Sequence, residues 1–508
     1  MACRRSQVRS LSGPPFFILP RFWRGFLLPF FSPFLPRPAP QTHKHFSHAS
    51  LISYNNRMAF YKDKVFRLLF VLLALFKAAA LLYAAFWNPL GEAVLAFPDS
   101  ITYVYPAQTW LQYGAMWEAV SATPMLLRTP GYPFFLALIG FFTGNLTWAV
   151  AIAQNFLSLF LLIPVYLTAR RLAGLPAARW ATFFCTVSVL YFSLSFAVLS
   201  ETLCVFLLAW FVFFTVRFLQ APRAVDLAAA ALFLAAAVYV RPAVYYFMFA
   251  AAVMLVCFQA GKLVRFPLHK IIVFFILPLI LLIGAWQLRN RLQTGFGGFT
   301  SVGAYNLYMW NEDYLAHKMG LSVPQAHDAL ERALPAGFSQ LPAQEQVRIY
   351  KSWARPLIQE SFFYKLSRAP LWALKTLFGA NFVHLSRLAW GGRTPQALLE
   401  GEMLNHTEAV HTRWLEKFSD KLLFAAAAGQ VALTVLLGII GFWVLWQKEK
   451  TSAFFLGVYC LYFWAIGSTF FGAYARFRAP FEFVLCIAAG AAAAALWQRF
   501  NPRQRPLP

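Results

Sequence analysis

The sequence predicts an all-α polytopic membrane protein, a bundle of about ten spanning helices with shorter helices lying at one membrane surface. Three observations carry this expectation. Of the 508 residues, 60% are hydrophobic and only 12% are charged, about half the charge of a soluble domain, which excludes a soluble globular enzyme. Long apolar runs recur along most of the chain. The bases punctuate those runs, so the net charge of +25 points to membrane topology and lipid contact, and nucleic acid is not an expected partner.

Residues 1–57 carry eight bases and no acid, and Pro14, Pro15, Pro20, Pro29, Pro33, Pro36, Pro38 and Pro40 interrupt every apolar stretch. No interval there reaches the roughly 20 residues that a spanning helix needs. The segment reads as a basic, Pro-rich leader, disordered or an over-long start, because "MAFYKDKVFRLLFVLLALF" from Met58 has the form of an ordinary membrane-protein beginning. An Arg-rich organellar transit peptide is the other reading.

The apolar runs are 65–87, 146–168, 180–199, 202–216, 227–240, 243–259, 271–286, 422–446, 453–471 and 483–496. The run 132–142 is about three turns long and suits an interfacial helix better than a span. Charge tests that choice, since short Lys/Arg-rich loops face the cytoplasm. With 132–142 outside the count, Lys62, Lys64 and Arg67, then Arg170, Arg171 and Arg179, Arg217 and Arg223, Lys262, Arg265 and Lys270, Lys448 and Lys450, and finally Arg499, Arg503 and Arg505 all fall inside. Both termini are then cytoplasmic, and 88–145 and 289–421 face outward. The expected organisation is a leader over 1–57, an N-terminal membrane module over 58–288 with its first outer loop at 88–145, an outer loop domain over 289–421, and C-terminal helices with a basic tail over 422–508. No inverted repeat is visible, which weakens a secondary-transporter reading.

Ionisable groups near a span are costly and point to function. Asp99 in "FPDSITYVYPAQTW" follows the first span, with Tyr103 one turn on; Pro98, Asp99 and Ser100 would equally suit a plain helix start. Arg128 precedes Pro130-Gly131-Tyr132-Pro133 and could hold a phosphate at headgroup level or snorkel to lipid. Glu201 lies between two apolar runs at their outer ends, placed to bind an acceptor or cation or to pair with an arginine. Arg241, then Arg289, Asn290 and Arg291, then Tyr474, Arg476, Arg478 and Glu482 collect at outer span ends, where the charge rule does not want bases. A membrane-embedded anionic ligand would explain them.

Other motifs carry less. "GFGGFTSVG" at 295–303 lacks the GK[ST] ending of a phosphate loop and reads as a flexible outer loop. Asn145-Leu-Thr147 and Asn405-His-Thr407 are sequons by pattern only, and His384, His406 and His411 have no zinc-ligand spacing. Cys3, Cys185, Cys204, Cys257, Cys460 and Cys486 show no CxxC, and read as packing residues.

The ordered set "FPDSITYVYP", "RTPGYPFFLALIGFFTGNLTWAVAIAQNFLSLF", "SFAVLSETLCVF", "VRPAV", "WQLRN" and "ARFRAPF" resembles the bacterial GT-C glycosyltransferases related to protein O-mannosyltransferases and the lipid A aminoarabinose transferase, over nearly the whole chain after Met58. The resemblance implies a GT-C bundle with interfacial helices in the first outer loop, in a bacterial inner membrane, using a polyprenyl-phosphate sugar as co-substrate at the outer face. It implies a catalytic acid in the first outer loop, the place Asp99 occupies. Glu201 is similar in position to a second family acid, although relatives often have Asp-Pro there. Many relatives carry an acidic pair in the first loop where this chain has Asp99-Ser100, so a divalent cation is compatible with the chemistry without being required.

The chemistry of such a transfer fits the inventory. A phosphate leaving group needs cations, not an acid, and the attacking hydroxyl needs one carboxylate base. Asp99 is the expected base, Glu201 an acceptor or sugar positioner, and Tyr103, Arg128, Tyr132, Arg241, Arg289, Asn290, Tyr474, Arg476 and Arg478 the expected substrate contacts. A base at Asp99 implies inversion. The acceptor is a hydroxyl of a glycan, lipid or protein, the sugar a hexose or pentose. A flippase of lipid-linked sugars, a surface-polysaccharide polymerase or ligase, and an inactive relative are the alternatives.

Overall fold

The computed structural model describes residues 60–500 apart from 89–90, 98, 119–122, 382–384, 386–387, 389–417 and 470–473. The expectations for 1–57, Pro98, His384, His406, His411, the sequon at Asn405 and the tail beyond Phe500 lie outside the described residues.

The chain is a helical, multi-span membrane bundle. In order come α1 (Lys64–Phe86), α2 (Ile101–Tyr113), α3 (Gly131–Thr143), α4 (Trp148–Ala173), α5 (Leu175–Thr186), α6 (Val189–Leu194), α7 (Glu201–Gln220), α8 (Ala224–Val240), α9 (Tyr245–Ala260) and α10 (Leu268–Thr294). Then follow α11 (Val302–Met309), α12 (Glu312–Met319), α13 (Val323–Ala333), α14 (Ala343–Phe378), α15 (Phe418–Lys448), α16 (Lys450–Thr469) and α17 (Ala479–Phe500). Among the described residues, eight helical segments are long and apolar enough to cross a membrane: α1, α4, α7, α9, α10, α15, α16 and α17. The expected interfacial run is α3, a 13-residue helix that stops at Gly144, whose φ of 69° is cheap only for glycine.

Two of the ten expected spans take another form. The run 227–240 becomes α8, a shorter apolar helix of 17 residues paired along α7. The run 180–199 breaks at Val187 into α5, α6 and a buried, non-helical stretch 195–200. Ser188 causes the break: its hydroxyl accepts the Tyr191 N–H as an N-cap and also meets the Glu482 carboxylate.

Unwound backbone at membrane depth is tolerated only where protein satisfies its polar groups. Here Gln154 and Asn155 of α4 donate to the carbonyls of Ala197 and Ser195, the Ser100 hydroxyl donates to the Val198 carbonyl, and the Val198 N–H reaches the Leu95 carbonyl. Lys77, buried in mid-α1, donates to Asn155 Oδ1 and Ser195 Oγ. This scaffold ends at Glu201, the first residue of α7.

Packing places α17 at the centre, 83% buried over its most apolar window, and α1 at the edge, 17% buried. α17 packs most extensively on α15 and α5. Close approach needs small residues there: a Cβ on Gly490 would sit 2.5 Å from the Ala181 nitrogen.

The loop 295–303 is pinned, contrary to the flexible loop expected. Its Thr300 hydroxyl donates to the Leu126 and Leu127 carbonyls, its Ser301 N–H donates to Leu126, and buried Phe299 accepts from Trp286 and Asn290.

Candidate functional site

Five chain segments that lie apart in sequence meet at the α2 end of the bundle. α2 begins one residue after Ser100, whose hydroxyl accepts the Phe97 N–H and holds the 195–200 backbone. The Asp99 carboxylate is therefore not spent as a helix cap. Its Oδ1 accepts from Arg128 Nη2 at 2.9 Å and its Oδ2 from Arg476 Nη1 at 3.0 Å. Burial alone would push the Asp99 carboxyl up, but Arg476 and Arg128 outweigh it and hold it at about 2. The side chain is still 34% exposed, so the pair of guanidiniums does not seal it.

Arg128 is carried by a turn that Glu118 secures, accepting the Leu126 and Leu127 N–H groups at 2.6 Å each. Its Nε donates to the Thr102 hydroxyl and its guanidinium lies 4.8 Å over the Tyr103 ring. Tyr103 is edge-on to Tyr132, whose hydroxyl donates to Gln154. Both tyrosines are buried; Tyr103 carries Arg128 and Tyr132 backs Tyr103. Gly131 lets α3 start against the end of α8, since a Cβ there would lie 2.7 Å from the Tyr239 carbonyl.

Glu201 and Arg241 form a buried pair at 2.6 Å, close enough to Arg476 for their charges to act on one another. Arg476 sits in the short turn Ala475–Arg478, against the rings of Tyr474 and Phe477, and its Nε is buried without an acceptor among the described residues. Such an unspent donor beside a carboxylate–arginine cluster is an opening for an anion.

Beside the cluster lies an apolar cavity of about 890 Å3, lined by Trp110, Trp117, Phe134, Leu203, Tyr239 and Trp286 among others. Arg289 borders it, its guanidinium 4.6 Å over Trp286 and bonded to the Met125 carbonyl. A cavity of that volume and lining suits a lipid chain, with the charged cluster at one end.

The structure brings Asp99, Arg128, Arg476, Glu201 and Arg241 together, with Tyr103 against Arg128, Tyr474 against Arg476, and Tyr132 behind Tyr103. It places Asn290 and Arg478 in other work. Asn290 is buried and holds the carbonyls of Gly298 and Phe299. Arg478 is 1% exposed, pairs with Glu482 at 2.6 Å, and donates to the carbonyls of Thr376, Leu377 and Gly379, so it fastens the end of α14 to α17. Glu118, Thr102 and Thr300 were missed by sequence reasoning. Thr102 follows from helical spacing to Asp99; Glu118 and Thr300 act through backbone contacts that leave no motif. Among the described residues no three His, Cys, Asp or Glu side chains gather as a metal site.

Comparison with known proteins gives the following. The profile of the dolichyl-phosphate-mannose-protein mannosyltransferase family matches residues 127–286, which include Arg128, Glu201 and Arg241. Among solved structures, the archaeal oligosaccharyltransferase AglB from Archaeoglobus fulgidus, in complex with an inhibitory peptide and a dolichol-phosphate, aligns at TM-score 0.46 and 12% identity, covering 86% of this chain and 51% of that one. This chain thus spans about half the length of that enzyme. ArnT from Cupriavidus metallidurans aligns at 12% identity with TM-score 0.36 in the apo state (84% of this chain, 77% of that one) and 0.34 bound to undecaprenyl phosphate (86% and 81%). No curated protein matches the chain in sequence.

Proposed function

We propose that this protein is a membrane glycosyltransferase that moves a sugar from a polyprenyl-phosphate donor to a hydroxyl acceptor, with the Asp99 end of the bundle facing outward. The observation that carries the reading is Asp99 clamped between Arg128 and Arg476, with Arg476 Nε left without an acceptor among the described residues. The family match over 127–286 and the apolar cavity beside the cluster support the same donor class.

In the resting cluster the two guanidiniums neutralise Asp99. A donor phosphate competes for them, and each guanidinium released to the phosphate frees a carboxylate oxygen. The acceptor hydroxyl oxygen then attacks the anomeric carbon as its proton passes to Asp99. The bond from that carbon to the phosphate oxygen breaks, and polyprenyl phosphate leaves with the electron pair, stabilised by Arg128 and Arg476. One displacement opposite the leaving group inverts the anomeric centre. Glu201, held by Arg241, is placed to position sugar or acceptor hydroxyls. The polyprenyl chain would occupy the cavity between Trp110 and Trp286. A divalent cation is not needed for these steps.

The test is transfer from a panel of radiolabelled polyprenyl-phosphate sugars in proteoliposomes, with total membrane extract as acceptor, for wild type and Asp99→Asn. Loss of the base is expected to slow transfer by about 10²–10⁴-fold. Movement of labelled lipid across the bilayer by both proteins, with no donor consumed, would instead establish a flippase.

A further inference from the structure

A second cavity, of about 680 Å3, lies between the last turn of α10 and the N-terminal half of α14, apart from the Asp99 cluster. Arg291, Arg348, Lys351 and Arg355 line it, together with the Gly295–Gly297 backbone. Among the described residues no carboxylate reaches ion-pair distance of Arg291, Lys351 or Arg355, and Arg348 meets only its own-helix neighbour Glu345, at 3.8 Å. Four cations converge there with one weak, exposed counter-charge.

The surroundings set the depth of this cavity. Arg291 lies in the last turn of a spanning helix, and its neighbours Leu288 and Leu292 are exposed, Leu292 at 76%. α14 is fastened at its other end to the spanning helix α16, through Trp464 Nε1 to the Ala373 carbonyl and Thr376 to Gly467. Along α14 the buried residues Val347, Ala354 and Ser361 recur every seventh position, on the face toward the protein. The stripe Arg348, Lys351, Arg355, Phe362, Phe363 and Leu366 follows helical spacing on another face, and all six are exposed, Phe363 at 79%. The step from Arg355 to Phe363 is about 12 Å of helix. An interfacial apolar face lodges about 5–10 Å into the headgroup and acyl boundary, so a rise of that size is enough to leave Arg355 at the phosphates with Phe363 in that boundary.

We infer that this cavity is a headgroup site for an anionic phospholipid, with Arg291, Arg348, Lys351 and Arg355 around the phosphate and Phe362, Phe363 and Leu366 among its acyl chains. The occupant is a lipid, not a free anion, because the basic and apolar residues follow one another along one exposed face of α14, with Ser352 and Gln359 the exposed polar residues between them. A soluble phosphate would use only the first half of it. Bound there, the lipid moors the N-terminal half of α14, and with it α11 packed on that helix, to the leaflet.

The full-length protein in mild detergent is titrated with phosphatidylglycerol or phosphatidylcholine, and retained lipid is counted by native mass spectrometry. Wild type is expected to retain phosphatidylglycerol in preference. Arg355→Ala should weaken retention about fivefold, a basic residue's usual worth at an anionic surface, and R348A/K351A/R355A by more than tenfold. Raising NaCl to about 0.5 M should weaken wild type similarly. Arg332→Ala, which removes an exposed charge on α13 outside the cavity, should change nothing. Equal phosphatidylglycerol retention by wild type and the triple variant overturns the site. So does a loss in Arg332→Ala equal to that in Arg355→Ala, which would mean bulk charge alone. Displacement of the lipid by inorganic phosphate at matching concentration would identify a free-anion site and overturn the lipid assignment.

Discussion

Asp99 at about 2 is a strong ion-pair partner and a weak base, since a general base works best with a pKa near the operating pH. The proposed exchange, in which the donor phosphate draws Arg128 and Arg476 off the carboxylate, removes the cause of the depression. Its pKa must then rise in the donor complex. The expected outcome is an acid limb of kcat that lies above the acid limb of kcat/KM by about one pH unit or more, in transfer assays buffered across the acid range. Coincident limbs would mean that the arginines stay on Asp99 throughout. The same depression has a stability consequence. A carboxyl whose folded pKa lies below its unfolded value contributes stability that is complete above about pH 4 and is lost as pH falls through about 2. Thermal unfolding of Asp99→Asn in detergent should therefore lack that part of the acid dependence. At this scale the sequence was legible where cost alone marks a residue: Asp99, Arg128, Glu201 and Arg241 stand out as charges beside apolar runs. It was silent on which acid meets which base. Arg476 reaches Asp99 from 377 residues away, whereas Arg478, two positions on, turns inward to close the end of α14.

Between residue and fold, the stretch 195–200 is the element that sets the site, because it delivers Glu201 to Arg241 and the Ser200 hydroxyl to that of Tyr103. Hydropathy reads it as part of a span, since Phe196, Ala197, Val198 and Leu199 are apolar; it does not register where the backbone hydrogen bonds go. Those bonds are made by Gln154, Asn155 and Ser100, residues that look incidental in their own helices. Lys77 completes the arrangement from α1, its Nζ donating to Asn155 and Ser195 beside the Phe192 and Phe196 rings. Lys77→Met keeps the length and removes the donor, leaving buried acceptors short of a partner at a cost of about 1–3 kcal/mol. Lower thermal stability is expected, with a fall in kcat as Glu201 shifts and little change in donor KM, because Lys77 touches neither Arg128 nor Arg476. Unchanged melting and turnover would show that 195–200 holds its place without α1.

Eight of the ten apolar runs were legible as spans because length and hydropathy decide that question for a single helix. Which helices form the interior is decided by how closely their backbones can approach, and hydropathy cannot rank that. α17 becomes the centre through small residues: Ala488, Ala489, Gly490, Ala491 and Ala492 are all buried. In lipid the association of helices rests on such close packing, since an apolar side chain is as well solvated by acyl chains as by protein. Gly441 on α15 is the tightest case: an added Cβ would lie 1.8 Å from the Ala488 carbonyl oxygen and 2.3 Å from its carbon. Backbone cannot yield as a side chain does, so Gly441→Ala must push α15 off α17, at a cost of about 1–3 kcal/mol from overpacking. Gly429 lies on the same helix with nothing within 4 Å of an added Cβ, and alanine there should gain up to about 1 kcal/mol of helix propensity. Thermal unfolding of the two variants in detergent separates packing from propensity: opposite shifts are expected. A stabilised Gly441→Ala would mean that α15 and α17 are not pressed together, and the central place given to α17 would fall with it.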